Sequence, residues 1–196
     1  MGKLFFALVL AFSSLLHSIE KLDDRYLISF GDKNASIQVV EYFSFMCPHC
    51  SALFKREFKD LKSNYLENNK IAFTFHPVPM DMLTVCAMEC LSKLNEREKR
   101  AFLEVLLQES EGEDSKVMIA LMKRAMEVFE KPIPQLDDRS YLEESETFQN
   151  AFVFLKQDEQ IIGIPTFEVN GKFYAEQPPS LVLLEKIMKE ISCGLN

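Results

Sequence analysis

The chain has 196 residues, of which 47% are apolar, and a formal charge of −8. That length suits one domain, or one domain carrying a large insertion, with enough apolar side chains for a sizeable core without a metal or disulfide framework. The acidic balance argues against a nucleic-acid partner, because phosphates demand a basic face. No Gly-, Ser- or Pro-rich linker and no internal repeat divides the sequence.

The first eighteen residues stand apart. Lys3 precedes an apolar run from Leu4 to Phe12, extended by Leu15 and Leu16, and acidic residues begin only at Glu20. A positive start and a short apolar segment make the pattern of a secretory signal peptide, and the run is short for a membrane span. The competing reading is a buried first helix. No clean small-x-small site marks the cleavage point, which is placed between Ser13 and Ser18. With no Cys nearby, nothing suggests a lipoprotein, and the mature chain reads as exported and free of the membrane.

Tyr26 to Phe30 reads as a short strand, followed by a polar turn at residues 32–35. Ser36 to Phe45 is rich in β-branched and aromatic types and reads as a buried strand. From Pro48 the period becomes helical, with Leu53, Phe54, Phe58 and Leu61 at three- and four-residue steps. Ile71 to His76 alternates as a second strand and is ended by Pro77 and Pro79. A strand–helix–strand unit of this kind makes parallel neighbours.

Residues 82 to about 159 then carry helical periodicity with no convincing strand. Asn95 with Glu98, and Ser140 with Glu143, have capping-box spacing. Residues 111–114 break one helix, and Pro132 and Pro134 break another, giving about four helices. Sheet signals return at Thr166 to Asn170. Asn170-Gly171 is a two-residue hairpin turn, with Lys172 to Ala175 as the return strand. Pro178, Pro179 and Ser180 open a final helix bearing Leu181, Leu184, Ile187, Met188 and Ile191 on one face. The class is therefore α/β, a strand–helix–strand half and a hairpin–helix half separated by a helical insertion. The boundaries are 1–18, 19–77, 78–160 and 161–196.

Five cysteines are present: Cys47, Cys50, Cys86, Cys90 and Cys193. Outside the cytoplasm such residues can pair, and an odd number leaves at least one thiol over. Cys47-Pro48-His49-Cys50 carries the strongest chemical signal. The spacing alone also suits zinc, with Cys86 and Cys90 as further ligands. Its position favours redox chemistry, because it falls where a buried strand ends and a helix begins. There Cys47 meets unpaired backbone N–H groups and the positive end of the helix dipole, which stabilise a thiolate. Pro48 suits the first helical turn, where a missing N–H costs nothing, and His49 adds a donor or a positive charge beside the sulfur. Cys50, one turn deeper, reads as the shielded resolving partner. Stabilising the Cys47 thiolate stabilises the reduced form and so makes the disulfide a stronger oxidant. The redox-active disulfide Cys47–Cys50 would need no separate cofactor.

Gly163-Ile164-Pro165-Thr166-Phe167 is the second element. Pro165 at the start of a strand is either an ordinary loop proline or a cis-proline turn packed on the Cys pair. The second arrangement leaves the Ile164 backbone free to pair with a substrate chain.

Residues 41–50 and 163–172 together resemble the DsbA family of periplasmic thiol–disulfide oxidoreductases, and the helical insertion matches as well. The resemblance covers the whole mature chain. It implies a thioredoxin-like fold in which Cys47 is the nucleophile, Cys50 the buried cysteine and His49 a stabiliser of the reduced state. It also implies Pro165 as the cis-proline, Ile164 as a substrate contact and Glu41 as a buried acid beneath the site. The lysine that often pairs with that acid on the next strand is absent from Ile71 to Phe75, which leaves proton handling at Glu41 open.

The resemblance implies oxidation of cysteine pairs in exported proteins, in the periplasm, by a monomer that a membrane partner resembling DsbB reoxidises. A reductase or isomerase of the same fold is the alternative, although isomerases usually carry an N-terminal dimerisation domain. A chaperone-like binding protein with an inert disulfide is another, and would need neither the helix N-terminus nor Pro165. A transferase on the same scaffold is disfavoured, because its glutathione-using relatives place Ser where this chain has Cys47. Cys86 and Cys90 lie four residues apart on one helical face and read equally as a second disulfide or as buried thiols. The methionines at 80, 82, 88, 118, 122 and 126 read as core packing rather than a substrate groove. His76, at a strand end, reads as structural.

Overall fold

A computed structural model describes residues 22–109, 114–157, 161–174 and 180–193. The segment read as a leader lies outside them, as does Ala175 at the end of the return strand. After a 3-10 turn at Asp24–Tyr26 come β1 (Ile28–Gly31), β2 (Ile37–Phe43), α1 (Pro48–Leu61) and β3 (Ile71–Pro77). The helical block holds α2 (Met82–Leu91), α3 (Glu96–Glu109), α4 (Ser115–Val128), α5 (Arg139–Glu144) and α6 (Glu146–Gln157). β4 (Thr166–Val169), β5 (Lys172–Tyr174) and α7 (Leu181–Ser192) complete the chain.

The strands form one sheet in the order β1-β3-β2-β4-β5. β2 and β3 run parallel, as their crossover through α1 requires, and the remaining pairs are antiparallel. The α/β, thioredoxin-like expectation holds. Alternation along β2 sorts its side chains: Val39 and Phe43 join the core cluster of α1, α3, α4 and α7, whereas Val40 and Tyr42 join Val85, Met88, Ala151 and Phe154 on the other face. Phe75, only 1% exposed, has its ring centroid within 5.9 Å of those of Phe30, Phe43, Phe54, Phe58 and Phe73. Burying one such ring is worth about 2–3 kcal/mol, so this cluster anchors α1 to the sheet.

Local chemistry explains where the elements stop. Asn170 (φ 48°) and Gly171 (φ 86°) both take positive φ, as a tight two-residue hairpin demands, and Asn170 Oδ1 also accepts the Gln38 N–H at 2.8 Å. The Asn95–Glu98 box forms reciprocally: the Glu98 N–H donates to Asn95 Oδ1 at 3.1 Å, and the Asn95 N–H donates to Glu98 Oε2 at 2.9 Å. The Ser140–Glu143 box does not form. α5 starts two residues earlier than that reading needs, capped by Asp138, whose carboxylate accepts the Tyr141 N–H, while Glu143 pairs with Arg139. Either residue type is a good cap, and the earlier one takes the role. Among the described residues the block holds five helices rather than about four, because the break at Ser145 separates α5 from α6. Tyr26 belongs to the 3-10 turn and not to the first strand.

Candidate active site

Phe43 ends β2, and Ser44, Phe45 and Met46 turn the chain into α1, whose N-cap is Cys47 and whose first residue is Pro48. The Cys47 sulfur accepts the Cys50 N–H at 3.4 Å, the capping bond that a helix start otherwise takes from an oxygen. Its thiol is pulled down to about 6. The hydrogen bond from the Cys50 side chain contributes most, and the backbone N–H groups of Cys50 and His49 and the charge of the His49 imidazole add to it against partial burial. At neutral pH a thiol with such a value is ~90% thiolate, compared with a few per cent for an ordinary cysteine. Pro48 and His49 are exposed at the rim and Cys47 is half-buried, so a large partner has access to the sulfur.

Cys50 is fully buried, and its thiol is pushed far up by the hydrogen bond it donates to Cys47, by burial and by the carboxyl of Glu41. The two sulfurs are therefore polarised in opposite senses, one an accessible thiolate and one a shielded thiol. Glu41 lies on β2 opposite Phe75 of β3 and Phe167 of β4, and is 4% exposed. Burial raises its carboxyl to about 8, with help from the negative charges of Cys47 and Glu57. It is a neutral acid at pH 7, the usual response of a buried carboxyl lacking a cation.

The loop before β4 closes the site from the other side. The Ile164–Pro165 peptide is cis, and its Ile164 carbonyl oxygen lies 3.8 Å from the Cys47 sulfur, a contact that is a hydrogen bond only while Cys47 carries its proton. Thr166 Oγ1 holds the turn by donating to the Gly163 carbonyl at 2.6 Å. The chain thus brings Glu41, Cys47, Pro48, His49, Cys50, Ile164 and Pro165 to one end of the sheet. Ile162 at 79% and Met80 at 58% are exposed on the segments flanking this end.

Two features escaped the sequence. The Ser44 hydroxyl donates to Asp81 Oδ2 at 2.7 Å and accepts the Met46 N–H at 3.0 Å, while the Ser44 carbonyl accepts the Cys47 N–H at 3.2 Å. Asp81, the N-cap of α2, also takes the Thr84 N–H at 2.7 Å and the Thr84 hydroxyl at 2.8 Å. One carboxylate thus ties the turn before Cys47 to the helical insertion; an Asp just before the apolar run at Met82 is the cap signal that could have revealed it. The second is Glu57, an acid set in the apolar stripe of α1 between Phe54, Phe58 and Leu61, where a buried face calls for a hydrophobe.

The remaining candidates lie elsewhere. Cys86 and Cys90 are buried free thiols on α2, both raised by burial, Cys86 to about 11; Cys193 is free and exposed. Among the described residues no group of His, Cys, Asp and Glu is arranged to hold a metal ion. His76 lies between the rings of Tyr42 and Phe154, and its Nε2 accepts the Leu22 N–H at 3.3 Å. Met88, Met118, Met122 and Met126 are core residues; Met80 is exposed.

A Cys-x-x-Cys pair at a helix N-terminus, facing a cis-proline loop across a mixed sheet, defines a thioredoxin-fold protein. The Thioredoxin family model (Thioredoxin_4) matches residues 24–189, and the chain belongs to that family. A Rickettsia prowazekii protein, named provisionally as a protein-disulfide oxidoreductase, is 35% identical over 78 residues, which is 38% of this chain and 28% of that protein. The chain therefore matches less than a third of that relative's length. Two solved structures share the fold. The protein-disulfide isomerase of Novosphingobium aromaticivorans superposes with a TM-score of 0.67 at 14% identity, covering 84% of this chain and 97% of its own. Wolbachia pipientis α-DsbA1 gives 0.62 at 17% identity, covering 84% and 89%.

Proposed function

We propose that the protein is a thiol–disulfide oxidoreductase that oxidises cysteine pairs in exported proteins. The observation that carries this reading is the asymmetry of the pair: Cys47 caps α1 as a half-buried thiol held at about 6, and Cys50 is buried and held protonated. Such a pair releases Cys47 readily as a leaving group and favours its own dithiol form, which makes the disulfide form oxidising. The named relative and the DsbA and isomerase structures support the same chemistry.

In the reaction a client thiolate attacks the Cys47 sulfur, with Ile164 and Pro165 beside it to orient the client backbone, and Cys50 leaves. A second client thiolate then attacks the client sulfur and expels Cys47 as thiolate. Residues 1–18 deliver the chain to the periplasm as a signal peptide, where it acts as a monomer and a membrane partner resembling DsbB reoxidises it. The test is the reduction potential of the Cys47–Cys50 pair equilibrated against glutathione, with Cys47→Ser as the inactive control. A potential well above the glutathione couple is expected. A potential near that of thioredoxin would turn the function to reduction or isomerisation, and disulfide transfer by Cys47→Ser would remove Cys47 as nucleophile.

A further inference from the structure

A buried acid beneath a cysteine pair needs a route to solvent, and among the described residues no cation acts on Glu41. β3 places Phe75 beside Glu41, and the charged and titratable groups acting on Glu41 are Cys47, Cys50 and Glu57. Glu41 and Glu57 both line a small cavity of about 20 Å³. β3, β4 and α7 contribute only the side chains of Phe73, Phe75, Phe167, Leu181 and Leu184 to it. That volume is room for one water molecule, and a buried water is held where it meets at least two polar groups in otherwise apolar walls. The two carboxyls are those groups.

Among the described residues no protein hydrogen bond to the Glu41 carboxyl is formed, although the residue is only 4% exposed. A buried polar group without a protein partner is ordinarily met by water. Glu57, by contrast, is fixed at the surface side. Its Oε2 accepts the Leu181 N–H at the start of α7, its Oε1 takes the Arg56 guanidinium, and 18% of its side chain is exposed.

We propose that Glu57 is the outer end of a one-water proton path to Glu41, positioned by Arg56 and the start of α7. The inference rests on the disulfide-exchange reading above and specifies how its proton moves. When a client thiolate attacks Cys47, the Cys47–Cys50 bond breaks and Cys50 leaves with the electron pair. Glu41 gives its proton to the Cys50 sulfur. The Glu41 carboxylate regains a proton from the cavity water, which is resupplied from solvent along Glu57. The client's second thiol loses its proton to solvent as it closes the client disulfide. The client loses two electrons, the cysteine pair gains them, and no other oxidant enters. Glu57 never touches the sulfurs; it works through the water and Glu41.

The experiment is carbon NMR titration of the glutamate carboxyls in the reduced full chain, beside the pH profile of disulfide reduction by a dithiol peptide. Glu57→Gln removes one negative charge across a single water and keeps an acceptor for the Leu181 N–H. The Glu41 midpoint should fall by about one pH unit, the size of shift one nearby charge produces, and the pH profile should move with it. Glu57→Asp should return most of the shift. Leu181→Phe, which fills the cavity and leaves both acids in place, should move the Glu41 midpoint upward and slow disulfide reduction by about a hundredfold, the lower end of what positioned proton transfer contributes. It also provides the answer if Glu57→Gln loosens α7. A Glu41 midpoint unmoved in both variants overturns the proposal. Absence of exchange in the unmodified protein would instead overturn the functional reading and leave the titration result standing.

Discussion

Asp81→Ala should destabilise the protein by more than the loss of a helix cap. In the folded chain the Asp81 carboxylate accepts three hydrogen bonds, from the Ser44 hydroxyl, the Thr84 N–H and the Thr84 hydroxyl, at 2.7, 2.7 and 2.8 Å. The cap bond is worth about 1 kcal/mol, and each hydroxyl bond to a charged acceptor about 1.5–3 kcal/mol. Ser44 and Thr84 are 2% and 0% exposed, so water does not readily replace the acceptor. Their hydroxyls lie 3.0 Å apart and recover part of the loss by bonding each other. The net cost is about 3 kcal/mol, or a fall in Tm of roughly 6–12 °C for a domain of this size. Asp81→Asn keeps the cap and one acceptor and should cost about 1 kcal/mol. Urea denaturation of the reduced protein, with the m-value checked for constancy, measures both. A cost for Asp81→Ala no larger than an ordinary cap would refute the reasoning, since the tie between the insertion and the turn before Cys47 would then contribute nothing.

Glu41 makes stability depend on pH in a defined window. Its carboxyl is raised to about 8 in the reduced folded protein, so the folded state binds the extra proton, and stability falls as pH rises from the ordinary carboxylate range through about 8. Glu41→Gln should flatten that fall, which amounts to at most about 4–5 kcal/mol; an unchanged slope in denaturation across pH would show that Glu41 is not the group responsible. Brief alkylation of the reduced native protein should label Cys47 and Cys193 and spare Cys50, Cys86 and Cys90, which are at most 1% exposed; mass mapping of a rapidly labelled Cys86 or Cys90 would contradict the packing of α2. Gly31→Ala should cost about 2–3 kcal/mol, because Gly31 has φ +78° and an added Cβ would meet the Ile71 carbonyl; thermal melting within a degree or so of the parent would show that β1 shifts freely.

The elements with short-range causes were legible in the chain itself. The period change from two to 3.6 at Pro48 located the strand-to-helix junction, and the Asn170-Gly171 turn set the β4–β5 register. The final helix begins after Ser180, at the end of the Pro178-Pro179-Ser180 run expected from the sequence to open it. The reactive pair was legible for the same reason: a cysteine's capping position and its neighbours Pro48 and His49 lie within four consecutive residues. Reading failed where two chemically equivalent choices competed locally, as with Asp138 and Ser140 at the start of α5.

By itself, then, the sequence determined the α/β class, the order of its halves, and a Cys-x-x-Cys placed at a helix N-terminus, because backbone periodicity and capping act over a few residues. Only the tertiary structure decided what stands around that pair. The Cys47 sulfur meets the Ile164 carbonyl across 117 positions of chain, and Ser44 meets Asp81 across 37. Glu41 and Glu57 line one cavity whose walls come from three strands and two helices. Such contacts depend on which strands become neighbours and which helix face lies down on them. They also depend on desolvation, which makes Glu41 a neutral acid and Cys50 a protonated thiol only once the core has closed over them.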